Sequence, residues 1–195
     1  MAAKSILYRA GILASVAAAA AALIACATVP TPQGSETPVA ATWQHHQITI
    51  DYYGLTALYS CDGFEDRVRA ILLYLGARSD LKVQMDGCNR AFDRPGHMSS
   101  ARAVFYTLAP VSGTSTTPVA AQWKRLAVRP MVPYGMGLGE CELVRQLQPV
   151  VAADFSTRNL DYHTACVPYD MTTSDYSLSG EFLALPASRA QHKSL

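Results

Sequence analysis

Residues 61–88 read CDGFEDRVRAILLYLGARSDLKVQMDGC. Phe64, Val68, Ile71, Leu72 and Leu75 fall at intervals of three and four, so they form one stripe of a helix, while Glu65, Arg67 and Arg69 lie off it. Asp62 followed three residues later by Glu65 has the form of a capping box. Gly76 is the expected left-handed stop. Leu81, Val83 and Met85 then alternate with Lys82, Gln84 and Asp86, the period of two of a half-buried strand. A cysteine stands on each side of this helix–strand unit.

A weaker copy runs over residues 141–166, CELVRQLQPVVAADFSTRNLDYHTAC. Leu143, Leu147, Val150 and Val151 give the stripe, and Leu160, Tyr162 and Thr164 the strand. Pro149 lacks the N–H of a helix interior and predicts a kink or an early end. Before the first unit, Ile48, Ile50 and Tyr52 alternate with Thr49, Asp51 and Tyr53 in a strand. After it, residues 89–100 form a polar loop, and Arg102 to Ala109 are rich in strand formers ended by Pro110. Residues 112–118, SGTSTTP, are the seam between two halves. Trp123 to Val128 read as a strand, residues 129–139 as a loop with two prolines and three glycines, and Tyr176 to Leu185 as the last strand.

The expected order is β-α-β-β, repeated after a linker. The fold class is therefore α+β, built from duplicated β-α-β-β units (residues 43–110 and 119–186), with a ferredoxin-like sheet, two helices on one face and two disulfides. In a right-handed crossover the helix runs back against both strands. The start of the helix and the end of the next strand then share one end of the sheet. That favours the pairings Cys61–Cys88 and Cys141–Cys166, each contributing roughly 3–4 kcal/mol in the chain-entropy model. The cysteines contain no C-x-x-C pair and lack the spacing of a zinc framework.

The chain has 195 residues, of which 50% are hydrophobic, a fraction raised by its first 25. Lys4 and Arg9 precede an uncharged apolar run over residues 11–25, the pattern of a secretory signal peptide. Leu23-Ile24-Ala25-Cys26 resembles the lipobox of bacterial lipoproteins, in which the cysteine becomes the acylated first residue; Ala25-Cys26-Ala27 also fits ordinary cleavage. Of five cysteines, lipidation of Cys26 leaves four for disulfides in an oxidising compartment. Residues 26–42 are rich in Pro, Thr and Ala and read as a lipid-anchored tether, and residues 187–195 as a loose tail. Without Lys4 and Arg9, 14 basic residues face 15 acidic ones, a net charge of −1. That balance offers no footprint for nucleic acid or anionic lipid.

The sequence holds no H-E-x-x-H, G-x-S-x-G or G-x-G-x-x-G motif, and no catalytic, cofactor-binding or metal residue is assigned. Gly135-Met136-Gly137-Leu138-Gly139 precedes the second helix as in an anion site, but it lacks a P-loop Lys, and Glu140 and Glu142 would repel a phosphate. His45, His46, His97, His163 and His192 read as surface histidines. Repeated units of this kind resemble ferredoxin-like folds and the β-α-β core of heavy-metal-associated domains, which carry a C-x-x-C where this chain has only Cys61. The vicinal-oxygen-chelate metalloenzymes pair similar modules; here only His46, His163 and Glu181 stand in for their ligands.

The run Tyr53-Gly54-Leu55-Thr56-Ala57-Leu58-Tyr59-Ser60-Cys61-Asp62-Gly63-Phe64-Glu65 resembles a group of uncharacterised secreted proteins of proteobacteria. The resemblance continues through Gly139-Glu140-Cys141-Glu142-Leu143-Val144 and Phe155-Ser156-Thr157-Arg158-Asn159 and covers most of the mature domain. It implies an envelope location and disulfides, and no activity. The expectation is a non-catalytic envelope lipoprotein that faces the periplasm and binds a protein or glycan partner. Its alternatives are a metal-dependent enzyme of the paired-module type and a periplasmic small-molecule binder. The expected working surface is the strand face carrying Thr49, Asp51, Tyr53, Lys82, Gln84, Asp86, Asp161 and His163, or the loops near His97 and Tyr134.

Overall fold

The computed structural model describes residues 37–86, 94–111, 117–170, 172 and 174–186. The signal segment, Cys26, Cys88 and the tail therefore lie outside the described residues. The elements follow the expected order: β1 (Val39–Tyr53), α1 (Cys61–Tyr74), β2 (Lys82–Met85) and β3 (Met98–Pro110), then β4 (Val119–Val128), α2 (Cys141–Asp154), β5 (Thr157–Ala165) and β6 (Asp175–Ala184). A 3-10 turn, Leu138–Glu140, leads into α2.

All six strands form one antiparallel sheet in the order β2-β3-β1-β4-β6-β5. β3 pairs antiparallel with both β1 and β2, so those two run parallel on either side of it. β6 stands in the same relation to β4 and β5. Each half is thus a split β-α-β unit with a strand inserted between its parallel pair. Within the sheet the halves pair where Val39, Ala40 and Ala41 face Ala121, Ala120 and Val119.

β1 begins at Val39, inside the stretch expected to be tether. The reason is steric and energetic. Ala41 is fully buried between β3 and β4, and small side chains let the three backbones meet there. β1 also shows the expected alternation. Ile50 and Tyr52 point into the core, while Thr49, Asp51 and Tyr53 are exposed, as are Lys82, Gln84, Asp86, Asp161 and His163 on their strands.

α1 buries Phe64, Val68, Ile71 and Leu72, the stripe read from its spacing. The cap differs from expectation. Ser60, not Asp62, stands at the N-cap, and its Oγ accepts the Gly63 N–H at 3.1 Å. The helix starts at Cys61 because the serine oxygen meets a first-turn donor from that position. At the other end Gly76 has φ +108°, with Gly76 N–H donating to Leu73 O and Ala77 N–H to Leu72 O, a Schellman closure. α2 runs through Pro149 to Asp154 and does not end early. Pro149 sits on the exposed side of the helix, where water can satisfy the carbonyl that loses its partner.

One core takes side chains from both helices and both halves, with Phe64, Phe105, Leu143, Leu147, Tyr176 and Phe182 all fully buried. Cys141 and Cys166 are bonded, with Cα atoms 5.7 Å apart. Cys61 is buried and disulfide-bonded, but the expected Cys61–Cys88 pairing falls on Cys88, outside the described residues.

A second apolar cluster lies at the seam of the halves, where Ala41, Leu108, Ala121 and Leu183 are buried beside the partly buried Trp43 and Trp123. Trp43 pairs across the sheet with Leu108 and Trp123 with Leu183. The Arg78 guanidinium lies 5.5 Å from the Trp43 ring and 3.7 Å from Tyr106, and that of Arg158 lies 4.0 Å from Trp123. Trp43 and Trp123, Cys61 and Cys141, and Arg78 and Arg158 are each 80 positions apart. Residues 37–43 read TPVAATW and residues 117–123 read TPVAAQW, and Ala40 faces Ala120 across the seam. Each alanine of that central pair is the other's counterpart, the register of a local two-fold axis.

Candidate binding cleft

Four charged or phenolic groups converge where α1 and α2 begin. Arg67 comes from the second turn of α1, Glu140 from the 3-10 turn, Tyr59 from the approach to α1 and Tyr176 from β6. Arg67 Nε lies 2.7 Å from Glu140 Oε1. Tyr176 donates its hydroxyl proton to Gly137 O at 2.8 Å, which holds the 3-10 turn against β6. The neighbouring Glu142 carboxylate accepts the N–H groups of Leu55 and Thr56 at 2.8 and 2.9 Å, tying α2 to the turn after β1. Gly54 is required at that turn, because a Cβ there would overlap the Tyr52 hydroxyl and crowd Glu142 Oε2.

These groups line or back a cleft of about 360 Å³ bordered by Leu58, Tyr59, Arg67, Pro95, Gly137 and Glu140. Glu140 is only 6% exposed and Tyr59 8%. Among the described residues, Glu140 Oε2 and the Tyr59 hydroxyl have no hydrogen-bond partner. Burial raises the Glu140 pKa to about 7, against the lowering pull of Arg67 and of a backbone hydrogen bond at Gly137. The close ion pair and the raised pKa point opposite ways, and the loss of hydration wins because the second carboxylate oxygen gains nothing in return. Burial also holds Tyr59 protonated, reinforced by the Glu140 charge, and burial does the same for Tyr52 and Tyr176.

Leu58, in the lining, is 50% exposed; Leu138, between the lining residues Gly137 and Gly139, is 42% exposed, and Tyr134 is 95% exposed. Tyr134 precedes Gly135, whose φ is +90° and whose Cα approaches so near Arg67 that a Cβ would lie 2.8 Å from its Nη1. His97, the other loop residue singled out from sequence, exchanges bonds with Gly54. Its Nδ1 lies 2.8 Å from Gly54 O, and its carbonyl accepts the Gly54 N–H at 3.0 Å. His97 therefore fastens the end of β1, while Tyr134 projects into solvent.

A larger groove of about 490 Å³ includes Tyr74, Arg125, Arg129 and Glu181. Its Arg125 and Glu181 face each other at 3.4 Å.

No protein-family model matches the chain, and neither a curated protein nor a solved structure matches it.

The three residues considered as chelate ligands are not brought together. His46 points inward, with Nδ1 3.0 Å from Asp154 Oδ1 and Nε2 2.9 Å from Thr107 Oγ1. His163 is exposed on β5, and Glu181 stands opposite Arg158 in the sheet and lies 3.4 Å from Arg125. No cluster of three metal-ligating side chains occurs among the described residues. His46, read from sequence as a surface residue, is instead a latch between β1, β3 and the end of α2. Its even position in β1 places it on the core face with Ile48 and Ile50. Thr107, Asp154 and His46 resemble a hydroxyl–imidazole–carboxylate relay. However, Thr107 is 2% exposed and its hydroxyl already donates to Asp154 O at 2.7 Å, so it is not presented to a substrate.

Sequence reasoning weighed Glu140 only as a charge that would repel phosphate. Its pairing with Arg67 joins the two halves, and no local pattern announces it. The seam tryptophans were legible, since TPVAATW and TPVAAQW differ at one position, but starting the domain at Trp43 hid the first copy.

Proposed function

We propose that the chain is an exported, lipid-anchored binding module of the bacterial envelope that engages its partner through the cleft at the start of the two helices. The observation that carries this reading is the buried, unpartnered oxygen of Glu140, a residue lining a surface cleft with Leu58, Pro95 and Gly137. Buried polar groups are paired in stable proteins, and an orphan on a residue that lines a cleft is a place for a ligand's polar atom. The export reading is supported by the signal-like first 25 residues and by the Cys141–Cys166 disulfide. Among the described residues no helix is long and apolar enough to cross a membrane. The anchor is assigned to Cys26 from its place in the lipobox-like Leu23-Ile24-Ala25-Cys26. The two halves are tandem copies of one split, ferredoxin-like β-α-β-β unit. The near-identical heptapeptides and the counterpart pairing of Ala40 with Ala120 support that descent.

A photo-crosslinking residue at Tyr134 or Leu58 should yield a discrete adduct in intact cells, and the same residue at Lys82 should not. Adducts of equal yield from all three positions, or from none, would remove the cleft as the recognition site. Replacing Cys26→Ser should move the protein from the membrane to the soluble envelope fraction. Continued membrane partition of that variant would sink the anchor.

A further inference from the structure

We infer that the cleft takes an uncharged polyhydroxyl ligand, a sugar residue of an envelope glycan, with one hydroxyl on Glu140 Oε2 and another on the Tyr59 hydroxyl. The inference rests on the cleft being the recognition site and names the chemistry it recognises.

Charge comes first. Arg67 and Glu140 lie 2.7 Å apart, so wherever Glu140 is ionised the pair cancels and the cleft offers no net charge to a cationic or anionic ligand. A zwitterion would have to break this pair to use either member. The unsatisfied capacity is instead of the neutral kind. Glu140 Oε2 is an open acceptor, and the Tyr59 hydroxyl can both donate and accept. Both residues are more than nine-tenths buried, and both line the cleft. Neighbouring hydroxyls on a sugar ring supply a donor and an acceptor at fixed spacing, which meets both groups without introducing charge.

The walls suit the rest of such a ring. Ala57, Leu58 and Pro95 present carbon to its C–H faces, and Gly137 and Gly139 let backbone approach closely. Ser60 adds a hydroxyl at the edge. Its oxygen accepts the Gly63 N–H. A volume of about 360 Å³ is at the small end of ligand sites, which suits a single ring or the end of a chain.

Saturation-transfer NMR and calorimetry on the purified exported protein test this, with methyl β-N-acetylglucosaminide and methyl β-glucoside as probes and glycine as the zwitterionic comparison. At least one glycoside should bind, and glycine should not. Tyr59→Phe keeps the ring packed against Tyr52 and Phe64 and should weaken glycoside binding on the order of tenfold, the effect of one lost hydrogen bond. Glu140→Ala should abolish it, with circular dichroism confirming the fold. Binding of a glycoside unchanged by Tyr59→Phe would overturn the placement. Binding of glycine in preference to both glycosides, or of no probe at all, would overturn the ligand class. Crosslinks from Tyr134 without glycoside binding would overturn the sugar and leave the cleft as a partner site, whereas loss of both results would remove the site itself.

Discussion

Replacing Cys141 and Cys166 together by alanine should cost the fold roughly 3–4 kcal/mol, the loop-closure value for a separation of 25 residues. Alanine is the informative choice because Cys141 is fully buried and serine would add an unpartnered hydroxyl there. Urea unfolding under oxidising conditions measures the loss, and a difference below about 1 kcal/mol would mean that the bond constrains little in the unfolded chain. The effect should reach the cleft, because Cys141 directly follows Glu140 and precedes Glu142, which clamps Leu55 and Thr56. Glycoside affinity should therefore fall in the alanine pair even at temperatures where it remains folded.

Glu140 should make stability fall as pH rises. An ordinary glutamate in the unfolded chain titrates near 4.5, and burial raises the folded value to about 7. Between those values the folded protein holds a proton that the unfolded chain has released. Stability is therefore fully present below about pH 4.5, declines through the window and levels off above about 7. The contribution is on the order of 3 kcal/mol. Glu140→Gln should remove this slope, matching wild type near pH 5 and exceeding it in stability near pH 8. Arg67→Met works in the opposite sense. Near pH 8 it leaves a buried carboxylate with no counter-charge, a loss of about 3 kcal/mol or more, while near pH 5 the neutral acid misses the guanidinium far less. Denaturant midpoints at the two pH values decide the matter. Equal losses for Arg67→Met at both would show that Arg67 acts through its packed stem and not through charge.

The two effects have one origin. The cleft is expensive to maintain, with a carboxylate oxygen and a phenol buried and unpaired, and the disulfide next to Glu140 offsets part of that cost. A site whose buried polar atoms are left unpaired in this way gains most when a ligand supplies the missing hydrogen bonds.

Much of the fold was legible because its signals are local. The stripe from Phe64 to Leu75 and the alternation over Ile48, Ile50 and Tyr52 report only which side of an element meets water, and each is set by a few neighbouring residues. The cap at Ser60 was misread because two oxygen-bearing residues, Ser60 and Asp62, both suit a helix start and only the backbone path chooses between them. Of the kink or early end expected at Pro149, the early end does not occur, for a related reason. The cost of the proline depends on whether the orphaned carbonyl faces water or core, and α2 turns it outward.

By itself, the sequence determined the element order, the inward and outward faces of the strands and the Cys141–Cys166 placement. Only the tertiary structure decided the strand order 2-3-1-4-6-5, the latch of His46 on Asp154 and Thr107, and the cleft in which Arg67 meets Glu140 beside Tyr59. The physical reason is range. Solvent partition writes itself into spacing along the chain, but a polar atom is left without a partner only by what distant segments bring, or fail to bring, within hydrogen-bond reach.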